Sequence, residues 1–90
     1  MPTVAHEQTP QPGSITMFTT SWCGYCVRLK GQLERAGVPY VEINLEENPE
    51  HIEFVESVNG GNRTVPTVVF PDGSAATNPS LAQVQDRLSA

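Results

Sequence analysis

Two cysteines, Cys23 and Cys26, are the residues of this sequence best suited to chemistry. A Cys-x-x-Cys pair can close a disulfide or supply half of a zinc site. Zinc needs four ligands, and the only histidines are His6, in a Pro-rich leader, and His51, which we predict on the solvated face of a helix. The pair therefore favours thiol–disulfide exchange over metal binding.

The positions of the two cysteines predict different roles for them. Cys23 stands where a predicted strand passes into a predicted helix, beside the unpaired N–H groups of the helix start. Such a site lowers a cysteine pKa from about 8.5 to roughly 3.5–7.5, so Cys23 is the predicted nucleophile. Cys26 lies on the same helical face, at a Cα separation of about 5–6 Å that a disulfide can close. We predict it to be more buried and to act as the resolving thiol.

Hydrophobic periodicity and turn residues predict the elements that position this pair. Strands are expected at Ile15–Thr19, Tyr40–Leu45 and Thr67–Phe70, with a short edge strand after the turn Pro71-Asp72-Gly73. Helices are expected from Gly24 to about Gly37, from Asn48-Pro49 to Asn59, and after Asn78-Pro79, where each Asn-Pro is read as a cap followed by Pro at the first helical position.

The predicted order is β-α-β-α-β-β-α, an α/β arrangement. With a right-handed first crossover it gives a four-stranded mixed sheet sandwiched by helices, a thioredoxin-like fold of glutaredoxin size. The buried faces predicted for the three helices are, in order, Cys26, Leu29, Leu33 and Ala36; Ile52, Val55 and Val58; and Leu81, Val84 and Leu88.

Length and charge restrict the function classes. Ninety residues suffice for one domain, which we place at residues 14–90 after a flexible leader, residues 1–13. The leader has no apolar run or basic segment, so we expect neither a signal peptide nor a membrane anchor, and a cytoplasmic protein. A net charge of −5 without any Lys/Arg run argues against nucleic acid as a partner.

A second constellation, Thr64-Val65-Pro66, precedes the third predicted strand. Proline cannot donate to a strand ladder, so its place there needs a reason. A cis Val65–Pro66 bond would turn the N–H and C=O of Val65 outward, where they can pair with an extended thiol substrate. An ordinary trans Pro at a strand start is the alternative, and base rates for X–Pro bonds favour it.

Trp22 and Tyr25 flank the predicted nucleophile in an exposed turn. Aromatic rings in such a place can form an apolar rim on which a disulfide substrate lies. Packing of these rings against the leader is the alternative. We favour the rim, because neither ring belongs to the apolar stripe of the helix.

Two stretches of the sequence resemble a known family. They are Thr-Ser-Trp-Cys-Gly-Tyr-Cys, residues 20–26, and Asn-Gly-Gly-Asn-Arg-Thr-Val-Pro-Thr-Val, residues 59–68. Both are similar to glutaredoxins and, more closely, to the mycoredoxins of mycothiol-using actinobacteria, and the similarity runs from about Ile15 to Leu88. The resemblance implies a cis Pro66 and an oxidoreductase that acts on thiols and disulfides.

The sequence departs from glutathione-binding glutaredoxins at two places. A Lys that meets a glutathione carboxylate in those proteins is Thr20 here, and their Gly-Gly-Cys-Asp-Asp stretch is replaced by Ala76-Thr77-Asn78-Pro79-Ser80. Mycothiol consists of an acetylated cysteine joined to an amino-sugar and inositol. It has no free carboxylate, so a site without the Lys suits it. Arg63 remains near the cysteines in the family pattern, where it can hold the thiolate or donate to a sugar; a solvated surface role is the alternative.

The resemblance thus implies demycothiolation. Cys23 attacks a mycothiol–protein mixed disulfide, and a second mycothiol regenerates the enzyme, with mycothiol disulfide reductase as an indirect partner. We expect a monomer without a bound cofactor or metal. Substrate contacts are expected from Thr20, Trp22, Tyr25, Arg63, Thr64, Val65, Pro66 and Asn78.

Two other functions stay open at this point. One is a dithiol electron donor to ribonucleotide reductase, although the Trp-Ser-Gly-Phe-Arg-Pro stretch typical of such redoxins is absent. The other is an iron–sulfur carrier in which Cys23 of two subunits and two low-molecular-weight thiols hold a [2Fe–2S] cluster. Gly24 in place of Pro after the nucleophile is compatible with such a carrier.

Overall fold

The computed structural model describes residues 9–89, and the predicted element order is confirmed there. The elements are β1 Ile15–Thr19, α1 Gly24–Ala36, β2 Tyr40–Asn44, α2 Ile52–Val58, β3 Thr67–Val69, β4 Ala75–Thr77 and α3 Leu81–Ser89. Residues 1–8 of the predicted leader, with His6, lie outside the described part. Within the rest of the leader, the C=O of Gln11 accepts hydrogen bonds from the N–H and hydroxyl of Ser14 and so forms a turn into β1.

The four strands form one mixed sheet in the order β2-β1-β3-β4. Strand β1 is parallel to β2 and antiparallel to β3, so Phe18 is paired with Ile43 on one side and with Thr67 on the other. All five residues of β1 are buried, as expected for a central strand with both faces covered. The end of β1, the end of β2 and the start of β3 therefore meet at one edge of the sheet, and Cys23 follows there.

Side chains of β1 alternate between two hydrophobic layers. Ile15 and Met17 point into a cluster that includes residues of α1 and α3, whereas Phe18 points into a second cluster that includes Val55 of α2. Helices α1 and α3 therefore cover one face of the sheet and α2 covers the other.

Helix α1 runs almost to the residue predicted from its Gly-then-Pro ending. Gly37 adopts φ 71°, and its N–H bonds to the carbonyls of Glu34 and Leu33, which ends the helix in the left-handed conformation that glycine favours. Cys26, Leu29 and Leu33 form the buried face as predicted. Ala36, also predicted on this face, is exposed.

Helix α2 is preceded by a 3₁₀ turn, Pro49–His51, and the buried residues of this segment differ in part from the predicted ones. His51 is buried, with its ring 5.7 Å from that of Phe18, so the predicted solvated position was wrong. Val58, predicted to be inward, is 39% exposed. His51 and Val55, four positions apart, are the buried residues of this segment, and the predicted Ile52 is partly buried against the same cluster together with Phe54.

The two predicted Asn-Pro caps have different outcomes. Asn48 is the N-cap of the 3₁₀ turn with Pro49 after it, as predicted, whereas Asn78 does not cap α3. Asn48 makes no side-chain cap bond, and its amide donates instead to the carbonyl of Asn44. At α3 the cap is Ser80: its hydroxyl accepts from the N–H of Gln83, and the Gln83 side chain accepts from the N–H of Ser80 at 2.8 Å. This reciprocal capping box starts the helix two residues later than predicted and leaves Asn78 outside it.

Candidate active site

Cys23 occupies the N-cap of α1. Its backbone is extended, with φ −92° and ψ 105°, and its Sγ accepts a hydrogen bond from the N–H of Cys26 at 3.0 Å. A sulfur in this position replaces the Ser or Asp oxygen that usually caps a helix and satisfies one of its orphan donors. The same geometry stabilises a thiolate, since an N–H and the positive end of the helix dipole face the sulfur.

The two cysteines are joined as a disulfide with a Cα–Cα distance of 5.2 Å, within the predicted range. Cys23 keeps 7% of its surface accessible, whereas Cys26 keeps 1%. An incoming disulfide therefore reaches Cys23 more readily than Cys26. This difference supports the predicted division into nucleophile and resolving thiol.

The loop that leads into Cys23 is held by the end of β2. The Glu46 carboxylate accepts from the Ser21 N–H at 3.1 Å and from the Trp22 indole Nε1–H at 2.8 Å. The Asn44 amide donates to the Ser21 hydroxyl at 3.2 Å and accepts from the N–H of Glu46. We call Ser21, Trp22, Asn44 and Glu46 the loop clamp.

Sequence reasoning did not predict Asn44 or Glu46 as site residues. Their position carried a usable signal, because Asn44 lies near the end of the predicted parallel strand and Glu46 directly follows it, and that end must lie beside the end of β1. Hydrogen bonds from Ser21, and a further one from Trp22, lower the pKa of Glu46 below its usual value. These bonds are therefore made above the ordinary pKa of a glutamate and are lost as the pH falls through the lowered one.

The bond between Val65 and Pro66 is cis, so the prediction that the family resemblance implied is confirmed. Within residues 9–89, neither the N–H nor the C=O of Val65 forms a hydrogen bond. The Pro66 carbonyl accepts from the N–H of Asn78 at 2.7 Å, and the Thr64 carbonyl accepts from the Thr67 hydroxyl at 2.7 Å. The backbone of Val65 is thus available at the edge of the sheet where Cys23 lies.

One groove beside the cysteines encloses about 460 Å³, and we call it the Trp22 groove. It is lined by Thr20, Trp22, Leu45, Glu46, Pro49, Ile52 and Arg63. The structure therefore brings together three of the predicted substrate residues: Thr20, Trp22 and Arg63. Trp22 is 76% exposed, which agrees with the predicted rim. Arg63 forms an ion pair with Glu56 at 2.9 Å, so its charge is already partly balanced.

A second groove of about 320 Å³ lies between α1 and the start of α3, and we call it the Tyr25 groove. It is lined by Tyr25, Arg28, Leu29, Gln32, Asn78, Pro79, Ser80, Leu81 and Gln83. Tyr25 is 62% exposed, as predicted for a rim residue. The predicted substrate residues are thus divided, with Tyr25 and Asn78 here and Thr64, Val65 and Pro66 lining neither groove.

Within residues 9–89, no three His, Cys, Asp or Glu side chains are grouped as metal ligands. No helix in the same range combines the length and apolar character needed to cross a bilayer.

A cysteine disulfide at the N-cap of a helix, placed after the central strand of a four-stranded mixed sheet, defines a thiol-disulfide oxidoreductase of the thioredoxin fold. The family follows from comparison with known proteins. The glutaredoxin family model matches residues 15–74, and the chain belongs to the glutaredoxin family.

Individual relatives agree with this assignment. A glutaredoxin of Mycobacterium tuberculosis is 56% identical over 75 residues, covering 83% of this chain and 89% of that protein. Mycoredoxin 1 of Corynebacterium glutamicum is 43% identical over 77 residues, covering 86% and 95%. Among solved structures, a glutaredoxin from Archaeoglobus fulgidus superposes with a TM-score of 0.69 at 26% identity, covering 87% of this chain and 88% of that one.

Proposed function

We propose that this protein reduces mixed disulfides between protein cysteines and mycothiol, with Cys23 as the nucleophile. The observation that carries the proposal is the Cys23 sulfur at the helix N-cap, accepting an N–H at 3.0 Å and more accessible than Cys26. The relationship to Mycoredoxin 1 supports mycothiol as the thiol. We further propose that the protein acts as a cytoplasmic monomer whose domain spans residues 14–90.

The reaction proceeds by two thiolate exchanges. The Cys23 thiolate attacks the mycothiol sulfur of the mixed disulfide, the S–S bond breaks, and the protein thiolate leaves and takes up a proton. A second mycothiol thiolate then attacks the mycothiol sulfur bound to Cys23. This step releases mycothiol disulfide and restores the Cys23 thiolate. One free mycothiol thiol is oxidised for each protein thiol released, and the other sulfur of mycothiol disulfide comes from the mixed disulfide itself. Mycothiol disulfide reductase consumes the product.

Cys26 is dispensable in this route. It can displace mycothiol from Cys23 by forming the disulfide present in the structure, which protects the nucleophile but needs two electrons to reopen. A dithiol route would use that disulfide in every cycle. The burial of Cys26, at 1% exposed, favours a role that follows the attack by Cys23.

The charges of the Trp22 groove support a thiol without carboxylates. Thr20 occupies the position at which glutathione-binding glutaredoxins have a Lys that meets a carboxylate. The charge of Arg63, the cation of this groove, is balanced by Glu56. The Glu46 carboxylate lies in the same groove and would repel an anion. Uncharged sugar and inositol hydroxyls, in contrast, meet no such repulsion, and the indole of Trp22 offers a flat apolar face to a sugar ring.

The backbone of Val65 supplies the remaining polar contact. Its N–H and C=O have no partner within residues 9–89, and they match the amide groups of the acetylated cysteine of mycothiol. Pairing of this kind is a short form of β-augmentation and orients the sulfur without depending on the rest of the thiol.

The test compares two mixed disulfides of one peptide, one with mycothiol and one with glutathione, using a Cys26→Ser variant. We expect this variant to keep turning over the mycothiol form, with kcat/KM at least about 10-fold above that for glutathione, a difference of about 1.4 kcal/mol. Cys23→Ser serves as the inactive control. Complete loss of activity in Cys26→Ser would eliminate the monothiol route, and equal kcat/KM values would eliminate selection for mycothiol.

A further inference from the structure

The loop clamp holds the indole of Trp22 beside Cys23 without taking part in the thiol exchange. Glu46 is exposed, yet its carboxylate is engaged by two donors from the loop before Cys23, the Ser21 N–H and the Trp22 indole. Bonds to a charged acceptor are stronger than bonds between neutral groups. An exposed Trp would otherwise sample several rotamers, and this bond selects one of them.

We propose that Glu46 is a positioning residue of the Trp22 groove, which fixes the indole ring as the wall against which the non-sulfur part of the thiol lies. The proposal rests on the proposed function, because it needs a low-molecular-weight thiol to be bound next to Cys23. It does not depend on that thiol being mycothiol.

The path from Glu46 to the site is short. Strand pairing continues past β1 and β2 through the bond from the Leu45 N–H to the Thr19 carbonyl at 2.9 Å. Glu46 is therefore two residues beyond the end of β2 and opposite Ser21, whose N–H its carboxylate accepts at 3.1 Å. The N–H of Cys23 in turn donates to the carbonyl of Thr20 at 3.4 Å, so the clamp and the nucleophile share one turn of backbone.

The loop clamp should affect the binding of the thiol substrate more than the rate of the thiol exchange. The carboxylate touches neither cysteine in the structure; it touches the ring that lines the groove. An indole released from Glu46 must be ordered again when the thiol binds, and that cost appears in KM. The capped sulfur of Cys23 keeps its own N–H donor, so kcat should change little.

The test uses Glu46→Ala, Glu46→Gln and, as a matched control, Glu47→Ala. Glu47 is the neighbouring exposed glutamate and has the same charge, but its carboxylate bonds to neither Ser21 nor Trp22. We expect Glu46→Ala to raise KM for the mycothiol mixed disulfide roughly 3- to 10-fold at nearly constant kcat. Glu46→Gln keeps one acceptor oxygen and should recover part of the loss, and Glu47→Ala should match the wild type.

Trp22 provides a readout that needs no substrate, because it is the only tryptophan in the chain. Its fluorescence anisotropy should fall in Glu46→Ala and stay unchanged in Glu47→Ala. In the wild type its emission should also titrate with a midpoint below the ordinary 4.5 of a glutamate, and this transition should vanish in Glu46→Gln.

The outcomes separate this proposal from the proposed function. The positioning role would be overturned if Glu46→Ala kept the anisotropy and the KM of the wild type. It would also be overturned if the variant lost activity only in proportion to the fraction of molecules unfolded, as measured by urea denaturation. If mycothiol is not the thiol, the anisotropy result still holds and the rise in KM appears with the glutathione mixed disulfide instead.

Discussion

The two grooves beside the cysteine pair contain an aromatic residue each but differ in how that residue is held and in the charge around it. In the Trp22 groove the ring is hydrogen-bonded to Glu46, and the only cation, Arg63, is paired. In the Tyr25 groove Arg28 forms no ion pair within residues 9–89, and the other polar lining groups are amides and hydroxyls.

This difference follows from the elements that build each groove. The Trp22 groove forms where the ends of two parallel strands meet the start of α2, so backbone donors and a carboxylate converge there. The Tyr25 groove forms between two helices and is ordered by the Ser80–Gln83 capping box. Selection among thiols should therefore respond to changes in the first groove and much less to changes in the second.

The largest expected effect comes from restoring a cation in the Trp22 groove. Thr20→Lys should raise the ratio of kcat/KM for glutathione over mycothiol mixed disulfides by about 10-fold, because a lysine there offers a carboxylate a partner. Within residues 9–89 the Thr20 hydroxyl is buried without a hydrogen-bond partner, so the change breaks no bond. Gln32→Lys places the same charge in the Tyr25 groove and is the control. An equal shift in both variants would contradict the comparison.

A smaller effect is expected from removing the rings. Trp22→Ala should raise KM for a mycothiol mixed disulfide roughly 5-fold, since the flat wall of the groove is lost. Tyr25→Ala should change that KM less than half as much. Steady-state kinetics of both variants on one mycothiolated peptide measure the two changes in KM. A larger change in Tyr25→Ala would mean that the Tyr25 groove, and not the Trp22 groove, binds the thiol.

The smallest effect on selection is expected from Ser80→Ala. Loss of the cap should lower the free energy of unfolding by about 1 kcal/mol, as measured by urea denaturation, because an N–H of α3 loses its acceptor. The preference between the two thiols should stay as in the wild type. If the fully folded variant showed a changed preference between mycothiol and glutathione mixed disulfides, the Tyr25 groove would take part in recognising the thiol.

Most of the fold was predictable because local signals agreed with one another. The Gly37 ending of α1, the β-branched and apolar run of β1 and the alternation in β2 each predict one structure. The order of elements then leaves few topologies. The cysteine pair was predictable for the same reason, since its chemistry depends on a position within one strand–helix unit.

The parts that sequence reasoning missed depend on contacts between distant segments. Glu46 meets Trp22 across 24 positions of the chain, and no local pattern marks that pair. His51 was misplaced because its ring packs against that of Phe18 in a distant strand, and no local pattern marks this contact. Asn78 was misread as a cap, and the structure shows it at φ 48° with its N–H on Pro66, a conformation that asparagine tolerates better than most residues.

The antiparallel pairing of β1 with β3 sends the chain away from the site immediately after Val65. Thr67 is opposite Phe18 and Val69 is opposite Thr16, so the hairpin turn at Pro71–Gly73 lies at the other end of the sheet from Cys23. The sheet thus has a reactive end, at Cys23, and an inert end, at the hairpin turn, separated by the length of a strand. A dye or surface tether attached at the hairpin turn would leave both grooves open. This turn is therefore a suitable attachment site in a sensor that reports on thiol exchange.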